Sequence, residues 1–332
     1  MNHRQRIEAA LAGRPTDRPA WGYWQHFPNR DRAPRRLAEL MLAQQKELDL
    51  DFIKLMPYGL FSVVDWGVEL KMFAGFQDPP VAERLLIREP RDWTGLRPLE
   101  GDGGEYAVAL EAQRLTLSQV DGSIPVIQTV FSPLTSALKM SGEKTLLRHL
   151  RESPEVVHRG LAVIAGTTGH FASQAVARGA DGVFFASQMS TTRLLTPAEH
   201  SAFVKPYDHQ VLAGIKDRTW FNILHLHGPQ PMIDQVLDYP VQALSWHDRD
   251  SGPSLKEVRG MTDKCLVGGV GHMGTLLKGT PREVADQVED AWQQVDGRGL
   301  IVAPGCGDQT RIPWENILQM KKSVLGLGGP SR

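Results

Sequence analysis

The sequence predicts an α/β fold, a single (β/α)8 TIM barrel with an N-terminal helix and an insertion after the second strand, and three observations lead there. Short apolar, β-branched or aromatic runs alternate with longer helical patterns, the signature of parallel βα units. Eight such runs occur, the number that a parallel barrel uses. No Gly-x-Gly-x-x-Gly follows the first of them, so the phosphate turn of an open dinucleotide-binding sheet is missing. The length of 332 residues is one that barrels with insertions reach as a single folding unit.

Taken in order, the chain starts Met1-Asn-His-Arg-Gln-Arg and runs straight into an amphipathic helix, not an apolar signal segment. Strands are expected at 19–24, 52–57, 124–131, 182–187, 221–227, 243–247, 265–270 and 300–304. Several are apolar along their whole length, as strands covered on both faces must be. Between them, Ser153-Pro-Glu-Val, Thr196-Pro-Ala-Glu and Thr280-Pro-Arg-Glu predict capped helix starts. In each, an N-cap hydroxyl precedes Pro at the first helical position, with a Glu close behind. Residues 66–99 break the rhythm. Asp78-Pro-Pro and Glu89-Pro-Arg-Asp-Trp suggest a hairpin and loops inserted near the barrel mouth. The barrel is expected to span 1–325, and 326–332, rich in Gly, Pro and Ser, to form a flexible tail.

Composition narrows the function. Hydrophobic residues at 41% and charged residues at 23% supply a large core and argue against disorder. With 37 Lys and Arg against 38 Asp and Glu, no net field draws nucleic acid or an anionic membrane. No apolar run reaches the roughly 20 residues of a membrane span. The two cysteines, Cys265 and Cys306, make no disulfide framework. A cytoplasmic enzyme acting on a small molecule is the expectation.

In such a barrel, chemistry sits at the C-terminal ends of the strands. His225-Leu-His227-Gly ends the fifth expected strand, and residues two apart on a strand share a face. Pro304-Gly-Cys306-Gly-Asp ends the eighth, its glycines clearing space around one thiol. Two imidazoles and a thiolate form a coherent zinc set that leaves a fourth position for substrate. The bland alternative is that a strand-end His is a hydrogen-bonded polar group and a lone Cys a small apolar one. Cys265, inside an apolar run at the opposite end of its strand, is assigned to packing. The same rim carries Trp24, His26 and Phe27 after the first strand, Tyr58 after the second, Ser187 and Gln188 after the fourth, Trp246, His247 and Asp248 after the sixth, and His272 after the seventh. Trp24, His26, Phe27, Ser187, Gln188, Trp246 and His247 are candidate substrate contacts. Tyr58, Asp248 and His272 are candidate catalytic groups. His247 or Asp248 is also a candidate fourth ligand, or an orienter of a ligand imidazole.

Residues 6–21, Ala180-Asp-Gly-Val-Phe-Phe-Ala-Ser187, the segment 195–207, and Leu276-Leu-Lys-Gly-Thr-Pro281 through Pro304-Gly-Cys306-Gly carry a resemblance to the uroporphyrinogen decarboxylase superfamily, in order and over nearly the whole chain. That superfamily holds porphyrinogen decarboxylases and also zinc-dependent methyltransferases that work with a corrinoid protein. The resemblance implies two substrate-clamping arginines where this chain has Trp24 and Pro28, an essential aspartate near Tyr58, a tyrosine near Lys139 and a histidine at Cys306. Only Ser187 matches, so porphyrinogen decarboxylation is not expected. The methyltransferase branch uses His-x-Cys followed by a Cys in a Pro-Gly-Cys-Gly setting, and His225 and Cys306 match it. His227 replaces the first cysteine, which makes a bound zinc ion a stronger Lewis acid and favours an oxygen-bearing substrate.

The resemblance therefore implies a zinc-dependent methyltransferase exchanging a methyl group between a small ether, alcohol or thiol and a corrinoid protein. The corrinoid is expected on a partner, because no Asp-x-His-x-x-Gly run occurs here. A homodimer is a further expectation from the family. Two other readings stand beside it: a zinc lyase or hydrolase with Asp248 or His272 as general base, and a non-enzymatic binding barrel.

Overall fold

Eight short parallel strands curl into one sheet whose two edges meet at a seam without a ladder. The structure is a computed structural model and describes residues 1–307 and 311–328. In chain order the strands are β1 (Ala20–Trp21), β2 (Ile53–Lys54), β3 (Glu69–Lys71), β4 (Val81–Arg84), β5 (Val126–Phe131), β6 (Gly182–Ser187), β7 (Ile223–Leu226), β8 (Ala243–Ser245), β9 (Cys265–Val270) and β10 (Leu300–Pro304). The sheet order is β1-β10-β9-β8-β7-β6-β5-β2, every pairing parallel, while β3 and β4 form a separate antiparallel hairpin. Each expected strand run holds one sheet strand, and β6, β9 and β10 keep the expected bounds. β1 falls from six expected residues to two. At Gly22 a Cβ would lie 2.5 Å from the Phe52 ring, so the chain passes against the next element instead of extending a ladder.

At the seam, the Asp51 N–H donates to the Trp21 carbonyl at 3.1 Å and the Trp21 N–H donates to Asp51 Oδ2 at 2.9 Å. The fully buried Asp51 carboxylate also takes one 2.6 Å bond each from Arg6 and Arg18. Burial would raise this carboxyl, but His3 and the two guanidiniums outweigh it and hold it below its ordinary range. Arg6 belongs to the expected N-terminal helix, His3–Leu11, which starts from an Asn2 capping box. The helix thus neutralises a charge that ties β1 to β2.

Helices cover the outer face of the sheet, and the apolar strand residues between them are almost wholly buried. Capping boxes start Pro197–Phe203 from Thr196 and Pro281–Gln294 from Thr280. The third expected cap is corrected. Ser153 makes no side-chain cap bond because its N–H closes the preceding helix on His149 and Glu155 stands only two residues on. The insertion supplies the hairpin and the helix Asp92–Gly95, whose buried Trp93 donates its indole N–H to His149 at 3.1 Å. The hairpin reaches the mouth, where Asn29 donates to the Phe73 carbonyl at 2.8 Å and Arg311 to Asp78 at 3.3 Å. The last helix, Trp314–Gly326, runs one residue into the expected tail, and Gly328 backs onto Asp17, whose carbonyl a Cβ would meet at 2.5 Å. Residues 329–332 of that tail, and Asp308 in the Gly-Cys-Gly-Asp turn, lie outside the described residues. Among the described residues no helix is long and apolar enough to cross a membrane.

Candidate metal centre and substrate cavity

At the C-terminal ends of the strands, His225, His227, His247 and Cys306 each offer one ligand atom, and these atoms all lie within 4.8 Å of one another. Strand parity explains the convergence. His225 and His227 leave β7 on one face, and His247 lies two residues beyond Ser245, the last residue of β8. Cys306 follows β10, with its sulfur 3.7 Å from His227 Nδ1. The turn that carries it is tightly cut: a Cβ at Gly305 would lie 3.2 Å from His247 Cα, and one at Gly307 only 2.0 Å from the Trp24 carbonyl oxygen.

His225 is 3% exposed and its Nδ1 lies 3.1 Å from Ser245 Oγ. Its Nε2 is buried with no hydrogen-bond partner among the described residues. Burial, with His247 and His227 nearby, holds this ring well below the ordinary histidine range, so it is neutral near pH 7, as a metal ligand must be. A buried lone pair with nothing to accept is a cost that a bound cation removes. His247 is backed by His272, whose ring packs edge-on at 4.6 Å and whose Nδ1 is 2.8 Å from Asp250 Oδ2.

Beside the cluster lies a cavity of about 110 Å³. Trp24, Met56, Pro57, Phe131 and Phe184 make its apolar wall, and His26, Lys54, Thr129, Lys139, Gln188, His225, His227 and Cys306 also line it. Trp24 meets Phe184 edge to face at 5.3 Å, and Phe184 stacks on His225 at 5.2 Å, so the aromatic wall and the cluster are one packed unit. The expected contacts Trp24, His26 and Gln188 are therefore at the cavity.

Other expected residues are elsewhere. Ser187 and Trp246 have the opposite parity to their cavity-side neighbours. The Ser187 hydroxyl bonds Ser190 at 2.7 Å and the Trp246 indole donates to the Pro253 carbonyl at 2.7 Å. Phe27 starts the turn that bonds Arg30 and Asp31 and does not line the cavity. Tyr58 follows the bend at Pro57, has the Arg32 guanidinium 5.4 Å from its ring centre and does not line the cavity. Asp248 turns outward to accept from the Gly269 N–H at 3.1 Å. Gly268 leaves room there, since a Cβ would lie 2.6 Å from Asp248 Oδ1. Burial pushes Asp248 up to about 6, but the carboxyl does not line the cavity. His272 stands behind His247 and is likewise absent from the lining. Sequence reasoning gives neither lysine a role in binding; Lys54 sits inside the apolar run 52–57, although a lone lysine in a doubly covered strand is itself a signal.

Methylcobamide:CoM methyltransferase MtaA of Methanosarcina barkeri is 23% identical over 330 residues, 94% of each chain. Methylated-thiol–coenzyme M methyltransferase of Methanosarcina mazei is 26% identical over 243 residues, 72% of this chain and 63% of that one. Among solved structures, a methyltransferase from Methanosarcina mazei aligns with a TM-score of 0.87 at 21% identity, covering 99% of this chain and all of the other. A B12-independent methionine synthase from Shewanella sp. W3-18-1 aligns at 0.58 and 13% identity, covering 93% of this chain and 95% of that one. Residues 2–326 match the family described as Uroporphyrinogen decarboxylase (URO-D), and the chain belongs to that family.

Proposed function

We propose that the protein is a methyltransferase that moves a methyl group between a corrinoid on a partner protein and a small thiol, alcohol or methyl ether, at a zinc ion held by His225, His227, His247 and Cys306. The observation that carries this reading is the convergence of four ligand atoms within 4.8 Å at the strand ends of a chain whose relatives bear methyltransferase names. Three imidazoles and one thiolate suit zinc, which takes nitrogen and sulfur donors in fours, and one of them, His247, would give up its position to the substrate's sulfur or oxygen. The ion's contribution is Lewis acidity, which lowers the pKa of a thiol or hydroxyl or polarises a methyl–oxygen bond.

The chain's own residues do the rest. Ser245 fixes the ring of His225 so that its Nε2 faces the cluster. Asp250 and His272 hold His247 from behind. Trp24, Phe131 and Phe184 exclude water from the place where the methyl group passes. The cavity gives a small substrate room beside the cluster.

The test combines metal analysis of the purified protein with methylcobalamin as methyl donor and a panel of small thiols and alcohols, followed by the absorbance change on demethylation. About one zinc per chain is expected, with turnover that His225→Ala and Cys306→Ser both abolish. Full turnover by metal-free protein, or none by zinc-loaded protein with any acceptor or with a methyl ether and reduced cobalamin, would refute the proposal. Corrinoid-independent hydrolysis would favour the lyase or hydrolase reading instead.

A further inference from the structure

Beside the cavity the fold buries a carboxyl that the metal cluster does not use. Past β1 the chain folds back on itself. The Arg30 and Asp31 amides donate to the Phe27 carbonyl at 2.9 and 3.0 Å, and Asn29 takes a left-handed φ of 62°, which Asn tolerates. Asn29 also ties this turn to the hairpin through the Phe73 carbonyl. The turn carries Asp31 back to His26. Asp31 is 1% exposed, and both its carboxylate oxygens are buried with no hydrogen-bond partner among the described residues. Its one ion-pair contact among those residues is His26 Nδ1, 3.8 Å from Oδ2.

A carboxyl left in this way is costly, and the arginines of the same turn do not relieve it. Arg30 lays its guanidinium 4.9 Å from the centre of the Phe76 ring, and Arg32 pairs with Glu105 at 3.6 Å. Burial pushes Asp31 up to about 7. The amides of Asp31 and Phe27 pull the other way without making a hydrogen bond, as do the charges of Arg32 and Arg30. An ordinary imidazole titrates at about 6.5, so a carboxyl at that level is matched to share a proton with one. The His26 ring also lines the cavity, as His227 and Cys306 do, so one group meets both the carboxyl and the ligand space. Methyl transfer to a thiol or alcohol releases a proton, and transfer from a methyl ether needs one for the leaving oxygen.

We propose that His26 is the catalytic proton acceptor and donor of the cavity, and that Asp31 is its positioning residue. As the substrate's S–H or O–H bond breaks, the proton goes to His26 and the electron pair forms the new bond to the methyl carbon. The carbon–cobalt bond breaks with its pair left on cobalt. In the ether direction the methyl–oxygen bond breaks with its pair on oxygen, His26 returns a proton there, and reduced cobalt supplies the pair for the new bond. The chemical step rests on the methyl-transfer reading; the dyad does not. Arg30 and Arg32 act on Asp31 from its own turn, and Lys54, Lys139, His225, His227 and Cys306 share the cavity with the ring.

Two measurements test it, one of them without turnover. In zinc-free protein the His26 ring resonance, identified as the one missing from His26→Gln, is titrated by NMR. A carboxylate neighbour favours the charged imidazole, so the midpoint should fall by about one pH unit or more in Asp31→Asn and return towards wild type in Asp31→Glu. With zinc-loaded protein, methylcobalamin and 2-mercaptoethanol, wild-type kcat/KM should decline on the acid side of a midpoint that Asp31→Asn moves to lower pH. His26→Gln should lower kcat/KM about 100-fold or more, a usual size for general acid–base catalysis, and remove that acid limb. A ring titration that Asp31→Asn moves supports the dyad even if no methyl transfer is seen, in which case the methyltransferase reading fails alone. An unmoved midpoint overturns the dyad. A loss in His26→Gln that is the same at every pH, or smaller than about threefold, overturns the proton-transfer role. If His26→Gln does not fold, Asp31→Asn decides through the ring resonance it moves and the limb of kcat/KM that moves with it.

Discussion

Replacing Ser245 by Ala tests whether the cluster is built for metal, because Ser245 touches the candidate ligand His225 and does not line the cavity. A neutral imidazole carries its proton on one nitrogen only. A proton on Nδ1, 3.1 Å from Ser245 Oγ, finds an acceptor in that hydroxyl and leaves the Nε2 lone pair for the cluster. Both side chains are buried and His225 stacks on Phe184, so no solvent replaces the lost hydroxyl. Two costs follow. The metal-free protein retains an unsatisfied buried N–H, about 1–3 kcal/mol of stability, and zinc affinity falls about 10–100-fold, as removal of such outer partners usually gives. The second figure is about 1.4–2.7 kcal/mol at about 1.4 kcal/mol per tenfold. Competition against a chromophoric chelator at pH 7 reads the affinity, and Ser245→Thr, which keeps the hydroxyl, should stay near wild type. A Ser245→Ala protein that binds zinc as tightly as the wild type would falsify the argument that the ring is held for a metal.

Two further outcomes follow from the structure. Gly307→Ala should abolish zinc binding while leaving the sheet folded, since its Cβ would lie 2.0 Å from the Trp24 carbonyl oxygen and the turn bearing Cys306 must shift; metal content and circular dichroism check this, and unchanged zinc stoichiometry would contradict it. Asp208, fully buried between Ser132 and Tyr239, is pushed up to about 7 by burial, which the two hydroxyls only partly oppose. Its folded pKa lies above its unfolded value near 4, so its contribution to stability is complete below about pH 4 and is lost as pH rises through 7. Urea midpoints of the wild type should therefore fall between pH 4 and pH 7 more steeply than those of Asp208→Asn, and parallel curves would refute the assignment.

Much of this was legible in the sequence because local rules carried it. Parity placed His225 and His227 on one face, and the glycines around Cys306 marked a turn with space for a thiol. Parity misled where the chain stopped being a strand. β2 ends at Lys54 and the chain has bent by Pro57, so Tyr58 is not the cavity residue that continued alternation would make it. After β8 the backbone turns, and both Asp248 carboxylate oxygens accept from the Gly269 N–H, which no local pattern announces. Lys139 is the plainest case of information held only in the fold. It sits mid-helix, and only the approach of that helix to Gly59 turns it toward the ligand space.

On either side of the seam at Asp51 the strands are laddered over very different lengths. The candidate zinc donors His225 and Cys306 come from strands locked to a neighbour by four and five residue pairs, whereas β1 and β2 hold theirs by two each. Trp24, Lys54 and Met56, which shape the ligand space, all follow or belong to that loosely laddered pair. A new specificity would therefore accumulate its changes along this edge first, and Trp24 is where such a change reaches the donors, through Phe184 to His225.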